Sequence, residues 1–167
     1  MPEFWDVYDA ERKYTGRVHT RGEPLPPGDY HLVVHVWVLN SRGEFFTTLR
    51  SPEKDYLPNM WEACGGSATA GEDSLTAALR EFREETGITL RPECGERVIA
   101  YCRHESDFVD VWLFRQDMDV NDFMPRPGET VQARWATPEE ILRMMAAGEY
   151  CNTTYIHKLF GIARRPA

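Results

Sequence analysis

Residues 66–88 read GSATAGEDSLTAALREFREETGI, and this stretch decides how the rest of the chain is organised. Leu75, Ala78, Leu79 and Phe82 fall at i, i+3, i+4 and i+7, the spacing of one apolar helix stripe. Asp73 stands where an N-cap belongs, because its carboxylate can accept from free backbone N–H groups of the first turn. Gly87 stands where the chain can leave the helix through a left-handed residue. The stretch therefore predicts a helix over 74–86. Glu81, Glu84 and Glu85 occupy i, i+3 and i+4 on it, an arc of about 100° beside the apolar stripe.

Those three acids are badly placed for helix stability. Carboxylates at i and i+4 repel by a few tenths of a kcal/mol. The last turn also disfavours anions, by roughly 0.3–1 kcal/mol each. Arg80 and Arg83 offset part of this, but neither can neutralise three converging acids. The face is either a solvated acidic surface or a site for a divalent cation. Hard oxygen donors at this spacing suit Mg²⁺, which binds through one or two carboxylates plus substrate phosphates.

Upstream, His31–Leu39 (HLVVHVWVL) is β-branched and almost wholly apolar, which predicts a strand buried on both faces. Asn40-Ser41-Arg42-Gly43 is turn chemistry, and residues 44–50 return as a second strand. Pro52 and Pro58 mark 51–60 as a loop. Residues 4–8 and 14–20 read as short strands around a polar turn, and 21–29 as a Gly/Pro loop. Downstream, 96–104 and 107–115 read as strands, 117–128 as a loop and 130–136 as a further strand. Thr137-Pro138-Glu139-Glu140 is a capping box with proline at the first helical position, opening a helix to about 147. A last helix covers 153–162. This order predicts an α/β fold, a mixed sheet covered on two sides.

The chain has 167 residues, which suits one domain over 1–167. Its net charge of −8, from 19 Lys+Arg against 27 Asp+Glu, weighs against general nucleic-acid binding. A phosphorylated small molecule stays open if the local field is reversed. No run of about 18 apolar residues predicts a membrane span. The start, Met1-Pro2-Glu3-Phe4-Trp5-Asp6, lacks the basic and apolar regions of a signal peptide. Cys64, Cys94, Cys102 and Cys151 lack zinc-site spacing and read as reduced thiols of a cytoplasmic protein.

The run Gly66-x5-Glu72-x7-Arg80-Glu81-Phe82-x-Glu84-Glu85-x-Gly87-Ile88 matches, at every defined position, the Nudix box G-x5-E-x7-R-E-U-x-E-E-x-G-U, with U a bulky apolar residue. On these residues the chain resembles the Nudix hydrolase superfamily. The resemblance implies the Nudix fold, an α/β/α sandwich with a mixed sheet and a loop–helix–loop catalytic motif. It implies a small-molecule substrate: a nucleoside diphosphate derivative or related organic diphosphate, hydrolysed with Mg²⁺ or Mn²⁺. Glu81, Glu84 and Glu85 would then be metal ligands, with Glu81 orienting or deprotonating the attacking water. The backbone carbonyl of Gly65 would complete the shell, and Arg80 and Glu72 would hold the carboxylates in place. Gly66 and Gly87 would form tight turns at the ends of the motif. A further ligand would come from outside the box, with Glu105 and Asp107 as candidates. Homodimers are common in the family.

Residues 31–64 are also similar to the isopentenyl-diphosphate isomerase branch of that superfamily. The similarity rests on the strand led by His31, the hairpin, Arg50-x3-Lys54-x3-Pro58-x2-Trp61, and Cys64-Gly65. It implies Arg50 and Lys54 as diphosphate contacts, Cys64 as an acid/base and His31 as a metal ligand. Two departures favour hydrolysis: Gly66 stands where the isomerases have a histidine, and the box is complete rather than degraded. Isomerisation is thus the second reading and a non-catalytic binding domain the third. His31 and His35 also fit purely structural roles. Trp61, Tyr101, Phe108 and Trp112 could stack a nucleobase or fill the core.

Overall fold

In the computed structural model, which describes residues 2–104 and 106–165, the apolar stretch His31–Leu39 is the middle of a seven-stranded mixed sheet. The strands run β1 (Phe4–Tyr8), β2 (Tyr14–Thr20), β3 (His31–Leu39), β4 (Phe45–Arg50), β5 (Trp61–Glu62), β6 (Cys64–Ser67), β7 (Gly95–Arg103), β8 (Asp107–Arg115) and β9 (Thr130–Ala136). The helices are α1 (Ser74–Thr86), α2 (Pro138–Ala146) and α3 (Ile156–Ala163). β1 and β2 form a separate antiparallel hairpin. β3 pairs in parallel with β8 and antiparallel with β4 and β6, while β9 joins β4 and β7 joins β8.

The alternation of β3 explains the layering. Val33, Trp37 and Leu39 point to one side, into a core shared with Ile141 of α2 and with Leu159 and Phe160 of α3. Leu32, Val34, Val36 and Val38 point to the other side, against Ala77, Ala78 and Phe82 of α1. A strand with both faces buried needs apolar residues at every position, which is what this stretch supplies. The result is an α/β/α sandwich. Among the described residues, no helix is long and apolar enough to cross a membrane.

The helix ends follow local chemistry. Asp73 accepts the Thr76 N–H at 2.7 Å, and Gly87 sits at φ +74 with its N–H donating to the Arg83 carbonyl. Thr137 and Glu140 exchange bonds at 3.2 and 2.7 Å, so the capping box forms. The last helix starts at Ile156 rather than 153, because the Ile156 N–H closes a turn onto the Thr153 carbonyl. Strands β5 and β6 are new relative to the sequence reading. β6 includes two glycines, and its strand character comes from pairing with β3 rather than from propensity. A Cβ at Gly65 would stand 2.4 Å from the Val34 carbonyl oxygen, so the pairing requires a residue without one.

Leu159 is fully buried between α3 and the sheet. Leu159→Ala is expected to lower stability by about 2–5 kcal/mol, read from urea unfolding with an unchanged m value.

Candidate active site

The C-terminal half of α1 lies over β6, and there the acids depart from the sequence expectation. Glu81 and Glu85 do not sit beside the apolar stripe but within it: they share the buried face with Ala77, Ala78 and Phe82. Only Glu84 is exposed. The physical reason is Gly66. A Cβ on that residue would stand 2.4 Å from the carboxyl carbon and one oxygen of Glu81, so only glycine lets the carboxylate seat against the strand. The turn expected at Gly66 is therefore corrected: it is an extended strand residue paired with Val34, chosen for close approach. Gly87, by contrast, does make a left-handed turn.

Arg80 ties the acids together. Its guanidinium donates to both Glu72 oxygens at 2.7 and 2.8 Å, to Glu81 at 3.0 Å and to Glu84 at 3.4 Å. It also reaches the Ser67 carbonyl at 3.1 Å, while Glu72 accepts the Thr69 N–H at 2.8 Å. One fixed fork thus spans three carboxylates and the strand below them.

Burial sets the electrostatics. It raises the Glu81 carboxyl above the usual range despite the adjacent Arg80. It pushes Glu85 up to about 8, with the charges of Glu62 and Glu81 adding to the effect. Oε2 of Glu85 is buried and has no hydrogen-bond partner. Among the described residues the acids are not drawn into a closed set of three donors, since Arg80 spans Glu81 and Glu84. The donor set nonetheless suits a hard divalent cation: two buried carboxylates, one with an unpartnered oxygen, next to an exposed third.

These groups open onto a cavity of about 410 Å³ that also exposes Gly65 and Gly66. Arg50 and Lys54 line it too, Arg50 bonded to Glu62 at 2.7 Å and Lys54 paired with Glu129. Four further lining residues, Glu3, Arg21, Arg126 and Glu129, belong to no motif in the sequence. Their signal was out of reach of local reading, because the fold brings them from the N-terminus and from the segment before β9.

Other nominated residues lie elsewhere. Asp107 is buried and bonded to Arg103 at 2.7 Å, outside the cavity; its companion candidate Glu105 lies outside the described residues. His31 stacks on Trp5 with ring centroids 3.9 Å apart and does not line the cavity, so the isomerase-like ligand position is not assembled. Cys64 is buried between β6 and α1 without lining the cavity, its thiol held well above the usual range by burial and by the adjacent Glu85. Trp61 packs under the Arg134 guanidinium at 4.7 Å. Phe108 stacks on Tyr30, Trp112 bonds Ser74, and Tyr101 packs on Tyr155; none of these lines the cavity. His35 bonds the Tyr155 hydroxyl at 2.6 Å, and burial drives its pKa down to about 4.

A model of the NUDIX domain matches residues 29–154, most of the chain. The chain belongs to the Nudix hydrolase family. It is 35% identical over 161 residues to an uncharacterized Nudix hydrolase of Listeria monocytogenes, covering 96% of this chain and 95% of that one. It is 30% identical over 148 residues to a Nudix hydrolase of Deinococcus radiodurans, with 86% and 84% covered. The crystal structure of DR0079 from Deinococcus radiodurans superposes with a TM-score of 0.75 at 25% identity, over 98% of this chain and all of that one. Nudix hydrolases generally use divalent metal ions and act on small molecules, and Glu81, Glu84 and Glu85 lie within the matched segment.

In this Nudix hydrolase the Glu85 carboxyl has a folded-state pKa of about 8 against an ordinary 4.5. Its protonation therefore favours the fold below the ordinary value, and that contribution is lost as pH rises through 8. Glu85→Gln mimics the protonated form. In chelator, its melting temperature is expected to exceed wild type at pH 8 by about 2–4 °C, roughly 1 kcal/mol, with no gain at pH 4.5. An equal difference at both pH values would show that the group titrates normally.

Proposed function

We propose that this protein is a magnesium-dependent pyrophosphohydrolase, with Mn²⁺ able to substitute, that cleaves the diphosphate linkage of a nucleoside diphosphate derivative or related organic diphosphate. The observation that carries this reading is the unpartnered oxygen of Glu85, buried beside Glu81 at the base of a cavity rimmed by cations. Glu81, Glu84 and Glu85, with the Gly65 carbonyl, would hold the cation. Once bound, the cation supplies charge neutralisation, a polarised phosphoryl group and a more acidic water.

The chain's own residues do the rest. Glu81 is the group that accepts the proton of the attacking water, and its burial-raised pKa makes it a better base than an exposed carboxylate. Arg80, fixed by Glu72, prevents Glu81 and Glu84 from turning away when the site is empty. Arg50 and Lys54 receive phosphate oxygens in exchange for Glu62 and Glu129. Beside them a smaller cavity of about 190 Å³, sharing Arg50, offers Glu62, Arg103, Asn152 and Thr153 to the organic group. Trp37, Tyr56, Leu57 and Ala63 share the lining, so the cavity suits a group with both a flat or apolar surface and hydrogen-bonding atoms better than a bare hydrocarbon chain, which would leave the polar side chains unpaired.

The test is a Mg²⁺-dependent phosphate-release screen over nucleoside and sugar diphosphates, with isopentenyl diphosphate included. Glu81→Gln and Glu85→Gln are each expected to lower kcat/KM for the best substrate by about 10²–10⁴. An unchanged Mg²⁺ response in both variants would refute the assignment, and formation of a dimethylallyl product would replace hydrolysis with isomerisation.

A further inference from the structure

Besides Arg80, four cations line the carboxylate cavity, and each is held by an acid: Arg50 by Glu62, Lys54 by Glu129, Arg126 by Glu84 and Arg21 by Glu3. They differ in how easily they can let go. Arg50 is mostly buried and also donates to the Tyr56 and Leu57 carbonyls. Arg21 and Glu3 are 52% and 53% exposed, and a pair so exposed holds its partners weakly.

The fold nevertheless fixes where Arg21 stands. Phe4 pairs with Thr20, so Glu3 and Arg21 meet at the open end of the β1–β2 hairpin, where the Arg21 N–H donates to the Glu3 carbonyl at 2.9 Å. The hairpin is anchored to the segment leading into α1: the Ala70 N–H donates to the Phe4 carbonyl at 2.8 Å, and the Gly71 N–H to Asp6 at 2.9 Å. Trp5 adds its stack on His31. The open end is thereby pinned at the mouth of the cavity that holds Glu81 and Glu84. Electrostatically the two are in range, since the charge of Arg21 acts on Glu81, and those of Arg80 and Arg126 act on Glu3. The hairpin lies before residue 29, outside the segment matched by the family model.

We propose that Arg21 of the N-terminal hairpin, with Arg126 on the same cavity, forms a phosphate-binding site that grips the oxygens of the bound diphosphate. This rests on the diphosphate reading above. A planar guanidinium offers paired donors to a phosphate group, and here it exchanges one exposed carboxylate for a doubly charged ligand. Glu3 is the competitor that holds Arg21 while the site is empty. The two residues of the pair therefore have opposite effects on substrate binding.

Steady-state kinetics on the best substrate of the screen should show Arg21→Ala raising KM about tenfold, the loss of one charge-assisted contact, with kcat little changed. Arg21→Lys should recover part of it, and Glu3→Gln should lower KM below wild type. Arg17→Ala, which breaks an exposed pair with Asp29 on the same hairpin, should leave KM unchanged. A rise in KM with Glu3→Gln, or equal effects of Arg21→Ala and Arg17→Ala, would make the pair a structural clamp and overturn the proposal. Calorimetric titration with Mg²⁺ and methylenediphosphonate, whose P–C–P bridge cannot be hydrolysed, separates the two levels. Binding that is insensitive to Arg21→Ala sinks the Arg21 site alone. No binding to the wild type sinks the diphosphate reading, and the Arg21 site with it.

Discussion

The seating of the Glu81 carboxylate on Gly66 is the contact from which the rest of the site follows. A buried carboxylate is costly unless it is protonated, paired or bound to a cation. Glu81 is paired, through Arg80. Glu85 is not, and burial holds its proton to a pH where an exposed glutamate would be fully ionised. The Glu81 carboxyl can approach the sheet only because β6 presents Gly66 to it, and Gly65 is needed for the close approach to Val34. Those glycines in turn form a strand only because β3 supplies the partner backbone. The acids thus stand at the end of a chain of constraints that begins with the apolar stretch His31–Leu39.

Most of the framework was legible because it is locally encoded. The N-cap at Asp73, the stop at Gly87 and the capping box at Thr137 rest on groups within four residues of one another. The double burial of β3 is written in its composition. β6 was not legible, since Cys64-Gly65-Gly66-Ser67 has no strand propensity and takes its conformation from a neighbour 30 residues upstream. The role of Gly66 was misread for the same reason: a glycine says that a Cβ is unwelcome, but not whether the cause is a turn or a side chain arriving from elsewhere.

The candidate site divides along the same line. Glu81, Glu84, Glu85, Arg80 and Glu72 share one helix and its lead-in loop, so their spacing announced them, and Arg50 and Lys54 were within reach of a motif. Arg21, Arg126, Glu3 and Glu129 are brought in by tertiary structure alone. Asp107 shows the converse, a carboxylate at a suggestive strand junction that is fully engaged by Arg103. Exposure sorts the cations as well. Those in motifs are the more buried, while Arg21 and Arg126 keep about half of their side-chain surface in water.

Gly66 also bears on the choice between hydrolysis and isomerisation. The isomerase-like frame would place a histidine after Cys64-Gly65. In this backbone any side chain at position 66 begins inside the volume held by the Glu81 carboxyl, since even a methyl group would collide with it. A histidine at 66 and a carboxylate seated as Glu81 is seated are therefore alternatives, not additions. Cys64 points the same way: it is buried on the α1 face of β6 beside Glu85, it does not line the cavity, and burial keeps its thiol protonated. With glycine at 66 the helix acids can settle against the strand, and the chemistry available there is that of carboxylates, a cation and water.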